Sequence, residues 1–475
     1  MLDELLAASG APATAPAVRR EPGDLVTRGQ LFADVDRLAG LAFDAPLDGV
    51  VWVAVGDRYL CTVLTIAVLR SRSVALVERD CPLRTFDATA RVGPPALVVT
   101  DDPQAPAARW AAARAIACRV VDGKTVGTGR GEAVARPALH FFSSGTTGPV
   151  KCIAVPADRL AAAVTGVASR LGITAEDAAL SIAPLTHTLG MVTTVLLPLH
   201  AGGTVVFADT ARPTRLRQAI ADSRPTWCAA SPSGHHLLHR LIHQRELPWP
   251  SLRFLRASAG PLPDALVDRL EGAWNVPLIN AYAMTEAPGE IASQSLTGDR
   301  PAGTVGRPTL CQVRIGAPIG PGGGEIRISG PNVAGRTDGD GWFATGDVGE
   351  FDRQGQLRLT GRIHDVINSG GLKVWPPEVE AAALLHPAVG EAVAFPVPHE
   401  GLGETVGLAV VARPGESVDR ADVRRLLMAE LPRDKWPGTI VVCARLPRTE
   451  RGKLNRRRLF ATLQVGGVDG AASRL

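Results

Sequence analysis

The stretch His140–Val155, HFFSSGTTGPVKCIAV, organises the reading of the whole chain. His140, Phe141 and Phe142 read as a buried strand. The loop behind them holds two hydroxyl pairs, Ser143-Ser144 and Thr146-Thr147, two glycines, Gly145 and Gly148, and then Lys151. Glycine permits backbone conformations in which successive N–H groups converge on an anion. The hydroxyls add donors and the lysine adds a rotatable positive charge, so the composition is that of a phosphate cradle. It is not a loop of the GxxxxGK[ST] kind, because Lys151 lies three residues after Gly148 and no Ser or Thr follows it. Taken alone, the stretch also fits a plain surface turn rich in Ser, Gly and Thr.

Lysine is scarce in this protein. Only five of its 51 basic residues are lysines, at 124, 151, 373, 435 and 453, and the rest are arginines. Against that drift, a retained lysine points to a place where a compact ammonium is needed and a planar guanidinium does not fit.

The 475 residues exceed what one hydrophobic core usually supports, which predicts at least two domains. A composition of 45% apolar and 21% charged residues is that of a soluble globular protein. The net charge of +4 is small and the basic residues are scattered, which argues against nucleic-acid binding. The seven cysteines are dispersed, with no CxxC pair and no cluster at metal-ligand spacing, so they read as reduced thiols of a cytoplasmic protein. The N-terminal residues show no signal-peptide pattern, and apolar runs such as MVTTVLLPL are too short to span a bilayer, so no membrane role is expected.

Before residue 140, apolar runs (GVVWVAVG, SVALVE, PALVVTDD) alternate with helical stretches, and the rhythm returns in AALSIAP, GTVVFAD and TWCAASP. This predicts an α/β fold with largely parallel sheets. From about residue 300, Gly/Pro turns and short strands predict an antiparallel or barrel-like unit ending near Gly361. Beyond it lies a C-terminal α+β domain of about 110 residues, a normal domain size.

Three further motifs carry chemistry. In INAYAMTEAPG, Tyr282 offers an aromatic face for a purine, Thr285 a hydroxyl for phosphate and Glu286 a carboxylate for Mg²⁺. In the segment from Asp340 to Glu380, Asp347 suits ribose hydroxyls and Arg362 a neighbouring phosphate or ribose. LPRTERGKLNRRRL places Lys453 after a glycine in a basic turn. Each motif alone also has a structural reading, as a core tyrosine, a turn aspartate or a solvated charge run.

In this order, SSGTTGPVK, PLTH, YAMTE, GEIRISGP, GWFATGD, GRIHDVI, GGLKVWPPEVE and PRTERGK resemble the adenylate-forming superfamily of acyl-CoA synthetases, luciferases and carrier-protein-loading adenylation domains. The resemblance implies a large N-terminal domain, residues 1–364, made of αβ subdomains plus a distorted β-barrel. It also implies a hinge at Asp365 and a small mobile C-terminal domain, residues 365–475. Two half-reactions follow: a carboxylate attacks the α-phosphorus of ATP, releasing pyrophosphate, and a thiol then displaces AMP from the acyl-adenylate. ATP, Mg²⁺ and CoA are the implied cofactors.

By the same resemblance, Lys453 bridges the incoming carboxylate and the α-phosphate, while Ser143, Ser144, Gly145, Thr146, Thr147, Gly148 and Lys151 cradle the β- and γ-phosphates. Thr285 lies near the α-phosphate, Glu286 holds Mg²⁺, Tyr282 packs on adenine, and Asp347 with Arg362 takes the ribose. Pocket candidates for the acyl group are His187, Trp227, Ser231, Ser258, Ala259, Gly260, Met284 and Pro288, with Trp227 and Met284 closing the far end. Gly370, Gly371 and Lys373 would line the thiol channel.

The chain departs from the family pattern at Ala283, where glycine is usual, and at GPVK, where the loop's extra lysine is absent. AYAMTEAPGEIASQSL is most similar to the oxalyl-CoA synthetase-like branch, whose histidine after TEA is replaced here by Pro288, Gly289 and Glu290. A missing cation and an added acid argue against a small dicarboxylate and for a small or medium acid, aromatic or amino-substituted acids included. Two other readings stay open: transfer to the phosphopantetheine of an acyl carrier protein or to another nucleophile, and a non-catalytic ligand sensor.

Overall fold

The structure, a computed structural model, describes residues 2–20, 24–122, 124–144, 150–242, 248–320, 323–446, 456, 459, 460 and 463. The stretch that opened the sequence reading lies at the edge of a six-stranded sheet ordered Ala117–Val120, Leu97–Thr100, Val50–Ala54, Ser73–Leu76, Ala138–Ser144, Val150–Pro156. All neighbours in it are parallel except the last pair, which forms a hairpin around the phosphate-loop sequence. Phe141 and Phe142 anchor that hairpin, at 2% and 7% exposure.

A nine-stranded sheet packs beside it. Its six central strands are parallel, running Pro16–Arg19, Thr204–Phe207, Ala178–Ser181, Trp227–Ala230, Phe254–Ala257, Leu278–Met284, and its edges add antiparallel Leu25–Thr27, Ala287–Ser293 and Arg307–Pro308. The helix Ala157–Leu171 contributes to the core beside this sheet through Leu160, Ala163, Val164, Val167, Ala168 and Leu171, the spacing of one helical face. It ends where Gly172 turns left-handed. One continuous core draws on both sheets.

The expected antiparallel unit is a four-stranded meander, Gln312–Gly320, Gly323–Ser329, Phe343–Phe351, Leu357–Arg362. Ile326, Ile328 and Leu357 pack with Tyr282, Ala287 and Ile291 of the nine-stranded sheet, so the meander is closed on one side by the strands that carry the tyrosine motif. After the short turn Ile363–Asp365 comes a separate five-stranded sheet starting at Ile367, with its own core of Val374, Val379, Leu408, Val410, Val423 and Leu427. Among the described residues no helix is long and apolar enough to cross a membrane.

Candidate functional site

The phosphate-loop hairpin sets Ser143 opposite Lys151 and Ser144 opposite Val150. The Lys151 side chain is exposed, and its ammonium makes no ion pair or hydrogen bond among the described residues. Gly145, Thr146, Thr147 and Gly148 lie outside the described residues, as does Lys453.

Tyr282, Asp347 and Arg362 come together as one hydrogen-bonded line. The Tyr282 hydroxyl donates to Asp347 Oδ2 at 2.6 Å, and Arg362 Nε lies 2.7 Å from Asp347 Oδ1. The meander makes this possible, because Asp347 and Arg362 are direct cross-strand neighbours. Burial, followed by the Asp347 charge, pushes the Tyr282 phenol well above its ordinary range, so it stays a donor. The same carboxylate raises the Arg362 guanidinium. Tyr282 is 6% exposed, packed in the core cluster of the meander.

Thr285 and Glu286 form the half-buried turn between Leu278–Met284 and Ala287–Ser293. The Glu286 carbonyl accepts from Ala334 N at 2.7 Å and Gly335 N at 3.2 Å, which fixes the turn by its backbone. Its carboxylate makes no ion pair or hydrogen bond among the described residues. A hard oxygen donor with no counter-ion among the described residues fits Mg²⁺, which binds through one or two carboxylates plus phosphate oxygens.

Around the expected acyl pocket, Ser258 is 4% exposed and its N–H donates to Ala230 O at 3.2 Å. Ala259 follows with φ +68°, a strained value for a residue with a side chain, and both it and Gly260 are exposed. Ser231 Oγ accepts from Gly234 N at 3.1 Å and lies 2.9 Å from Ser233 Oγ. His187 is half-buried where the chain enters the helical segment at Leu189–Leu196. Gly190 is required there: a Cβ would lie 2.0 Å from Pro184 O. Arg58, not anticipated from the sequence, donates to Ser181 O, Ser181 Oγ and Ala183 O at 3.1, 2.9 and 2.9 Å, bracing the approach to PLTH. No local signal marks it, since its partners lie more than a hundred residues away.

Two pocket expectations are corrected. Trp227 does not close the pocket: it is fully buried, stacked on Phe254 with centroids 5.6 Å apart. It starts its strand, roughly 13 Å of extended chain before Ser231, because a strand advances about 3.3 Å per residue. Glu290 is not an acid added to the pocket either. Arg170 grips it through Nε at 2.5 Å and Nη2 at 2.6 Å, and Arg256 Nη2 lies 3.6 Å away. Met284 packs against the cluster around Tyr282, and Pro288 is buried with its carbonyl accepting from Asn332 Nδ2 at 2.8 Å.

In the C-terminal sheet, Gly370 and Gly371 form a two-residue hairpin turn with φ +60° and +92°, the combination for which glycine is favoured. Lys373 lines a cleft of about 680 Å³ with Ile319, Ile363, His364, Val366, Trp375 and Leu402. Asp365 Oδ2 lies 3.6 Å from Arg456 Nε.

The family model "AMP-binding enzyme" matches residues 8–336, and "AMP-binding enzyme C-terminal domain" matches residues 378–453. A probable CoA ligase of Humulus lupulus is 36% identical over 341 residues, 67% of this chain and 65% of that protein. An oxalate–CoA ligase of Arabidopsis thaliana is 34% identical over 361 residues, 71% of this chain and 70% of that protein. The chain therefore spans about two thirds of the length of these relatives. ATP-bound MatB of Rhodopseudomonas palustris superposes with a TM-score of 0.85 at 24% identity, covering 99% of both chains. The chain belongs to the AMP-binding enzymes, the adenylate-forming superfamily in which CoA ligases are found.

Proposed function

We propose that the protein is an ATP-dependent acid–thiol ligase that activates a small carboxylic acid as its acyl-adenylate and passes the acyl group to CoA. The observation that carries this is the line Tyr282–Asp347–Arg362 close to a turn whose Glu286 carboxylate makes no ion pair among the described residues. Asp347 receives the ribose hydroxyls and Tyr282 packs near the adenine. Thr285 bonds the α-phosphate. Lys151, with the loop between its two strands, neutralises the β- and γ-phosphates. Glu286 would hold Mg²⁺, which would supply charge neutralisation for the phosphates. In the first step a substrate carboxylate oxygen bonds to the α-phosphorus while the bond to pyrophosphate breaks. Lys453 holds these two anions together, because attack of one anion on another depends on charge neutralisation and alignment. In the second step the C-terminal domain turns at Asp365, the CoA thiol gives up its proton to solvent, its sulfur attacks the acyl carbon, and AMP leaves with the electron pair of the broken C–O bond.

Pairing of Glu290 with two arginines removes one of the two arguments against a dicarboxylate, so short diacids belong among the candidate substrates. The test is acid-dependent ATP–pyrophosphate exchange over short, dicarboxylic, aromatic and amino acids, then product mass spectrometry with CoA. Exchange followed by a CoA thioester establishes the reading and names the acid. Exchange without a thioester moves the acceptor to a carrier protein or another nucleophile. No exchange with any acid overturns the ligase reading.

A further inference from the structure

Across the candidate hinge, the Trp375 ring packs against Gly361. Gly361 lies in the strand Leu357–Arg362, opposite Val348 and adjacent in sequence to Arg362. Trp375 lies beyond Asp365, as the residue that precedes and caps the helix Pro376–Leu384. A Cβ on Gly361 would stand 3.1 Å from Cε3 and 3.4 Å from Cζ3 of Trp375, so the indole rests on bare glycine backbone. Pro377 Cγ approaches the same point at 3.9 Å. The tryptophan is 4% exposed, and its Nε1 is buried with no hydrogen-bond partner among the described residues. The contact is therefore one of apolar fit rather than polar anchoring. Trp375 is also among the residues that line the cleft of about 680 Å³, with Ile319 and Ile363 before Asp365 and Val366 and Leu402 after it.

Gly361 and Trp375 stand on opposite sides of Asp365. Any turn of the C-terminal domain about that residue moves one relative to the other, and separation brings a large apolar ring into water. We propose that Trp375, seated on Gly361, is a positioning residue that holds the C-terminal domain in the orientation seen here and so sets how the protein divides its time between its two half-reactions. This inference rests on the two-step reading of the site. A tryptophan that only stabilised the fold would not favour one half-reaction over the other.

The experiment compares wild type with Trp375→Ala, Trp375→Phe and Gly361→Ala. It measures three quantities: pyrophosphate exchange, thioester formation from a supplied acyl-adenylate with CoA, and the solution distance distribution by small-angle X-ray scattering. Trp375→Ala and Gly361→Ala are expected to move the two rates in opposite directions, changing their ratio about fivefold or more, as a shifted two-state equilibrium requires. Trp375→Phe keeps an aromatic ring on the glycine and is expected to stay within about twofold of wild type. The scattering of Trp375→Ala should differ from that of wild type. Two rates that fall together, or an unchanged ratio with an unchanged scattering profile, overturn the proposal. A wild type that shows no exchange fails the ligase reading instead, and the scattering comparison then decides on Trp375 by itself.

Discussion

Asp347 meets Tyr282 with one carboxylate oxygen and Arg362 with the other, yet each oxygen retains acceptor capacity. A pair of ribose hydroxyls can therefore be received without breaking either bond. Tyr282→Phe removes one hydrogen bond to a charged acceptor, worth about 1.5–3 kcal/mol. It is expected to weaken ATP use by about ten- to a hundredfold in exchange kinetics. Asp347→Ala also removes the groups that receive the ribose, and should lose more than Tyr282→Phe in the same assay; equal losses would contradict the assignment. Because burial and Asp347 hold the Tyr282 phenol well above its ordinary value, its ionisation should not shape the rate between neutral and mildly alkaline pH. Lys453→Ala should abolish adenylation while leaving thiolysis of a supplied acyl-adenylate largely intact, which single-turnover assays of the two steps separate.

At the scale of elements, the return strand Ala287–Ser293 is held by charge as well as by its ladder. Glu290 is fully buried, Arg170 is 23% exposed and Arg256 is 1% exposed. Arg256 also donates from Nη2 to Gly289 O at 2.7 Å. Removing the shared acid strands a buried cation, so Glu290→Gln should cost about 3 kcal/mol, the lower end for breaking a buried pair since Arg170 reaches solvent. Urea unfolding reads this as a lowered midpoint, with the slope unchanged. The strand's neighbour depends on Gly306, whose φ is +82° and whose added Cβ would fall 1.9 Å from Ser293 C. Gly306→Ala should destabilise more than Glu290→Gln in the same titration, because backbone must shift as well as strain be absorbed.

For the molecule as a whole, the pH response has an internal source in His235. Its Nε2 donates to Arg256 O at 2.9 Å, and full burial pushes its pKa from 6.5 down to about 4. Between those values the unfolded chain binds a proton that the folded chain refuses, so stability is retained above pH 6.5 and lost as the pH falls toward 4. The slope approaches about 1.4 kcal/mol per pH unit for a single site. His235→Leu should flatten this slope in urea titrations at pH 7 and pH 5; an unchanged slope would assign the acid sensitivity elsewhere. The two-body organisation also shows at this scale, since the C-terminal sheet has a core of its own and reaches Gly361 in the meander through the Trp375 ring and Pro377.

The sequence by itself determined the alternating strands and helices, the buried strand running into the SSGTTGPVK loop and the antiparallel turn-rich unit, whereas the hydrogen-bonded line through Tyr282, Asp347 and Arg362 came from the tertiary structure. The former are carried by contiguous residues whose periodicity and turn chemistry act locally. Only the tertiary structure decided that Trp227 turns into the core, that Glu290 is neutralised by Arg170 120 residues away, that Arg58 braces the PLTH approach, and that Trp375 sits on Gly361. The reason is physical: burial of a side chain and the partner of a buried charge are set by which distant segment packs against it, and no local pattern records that choice.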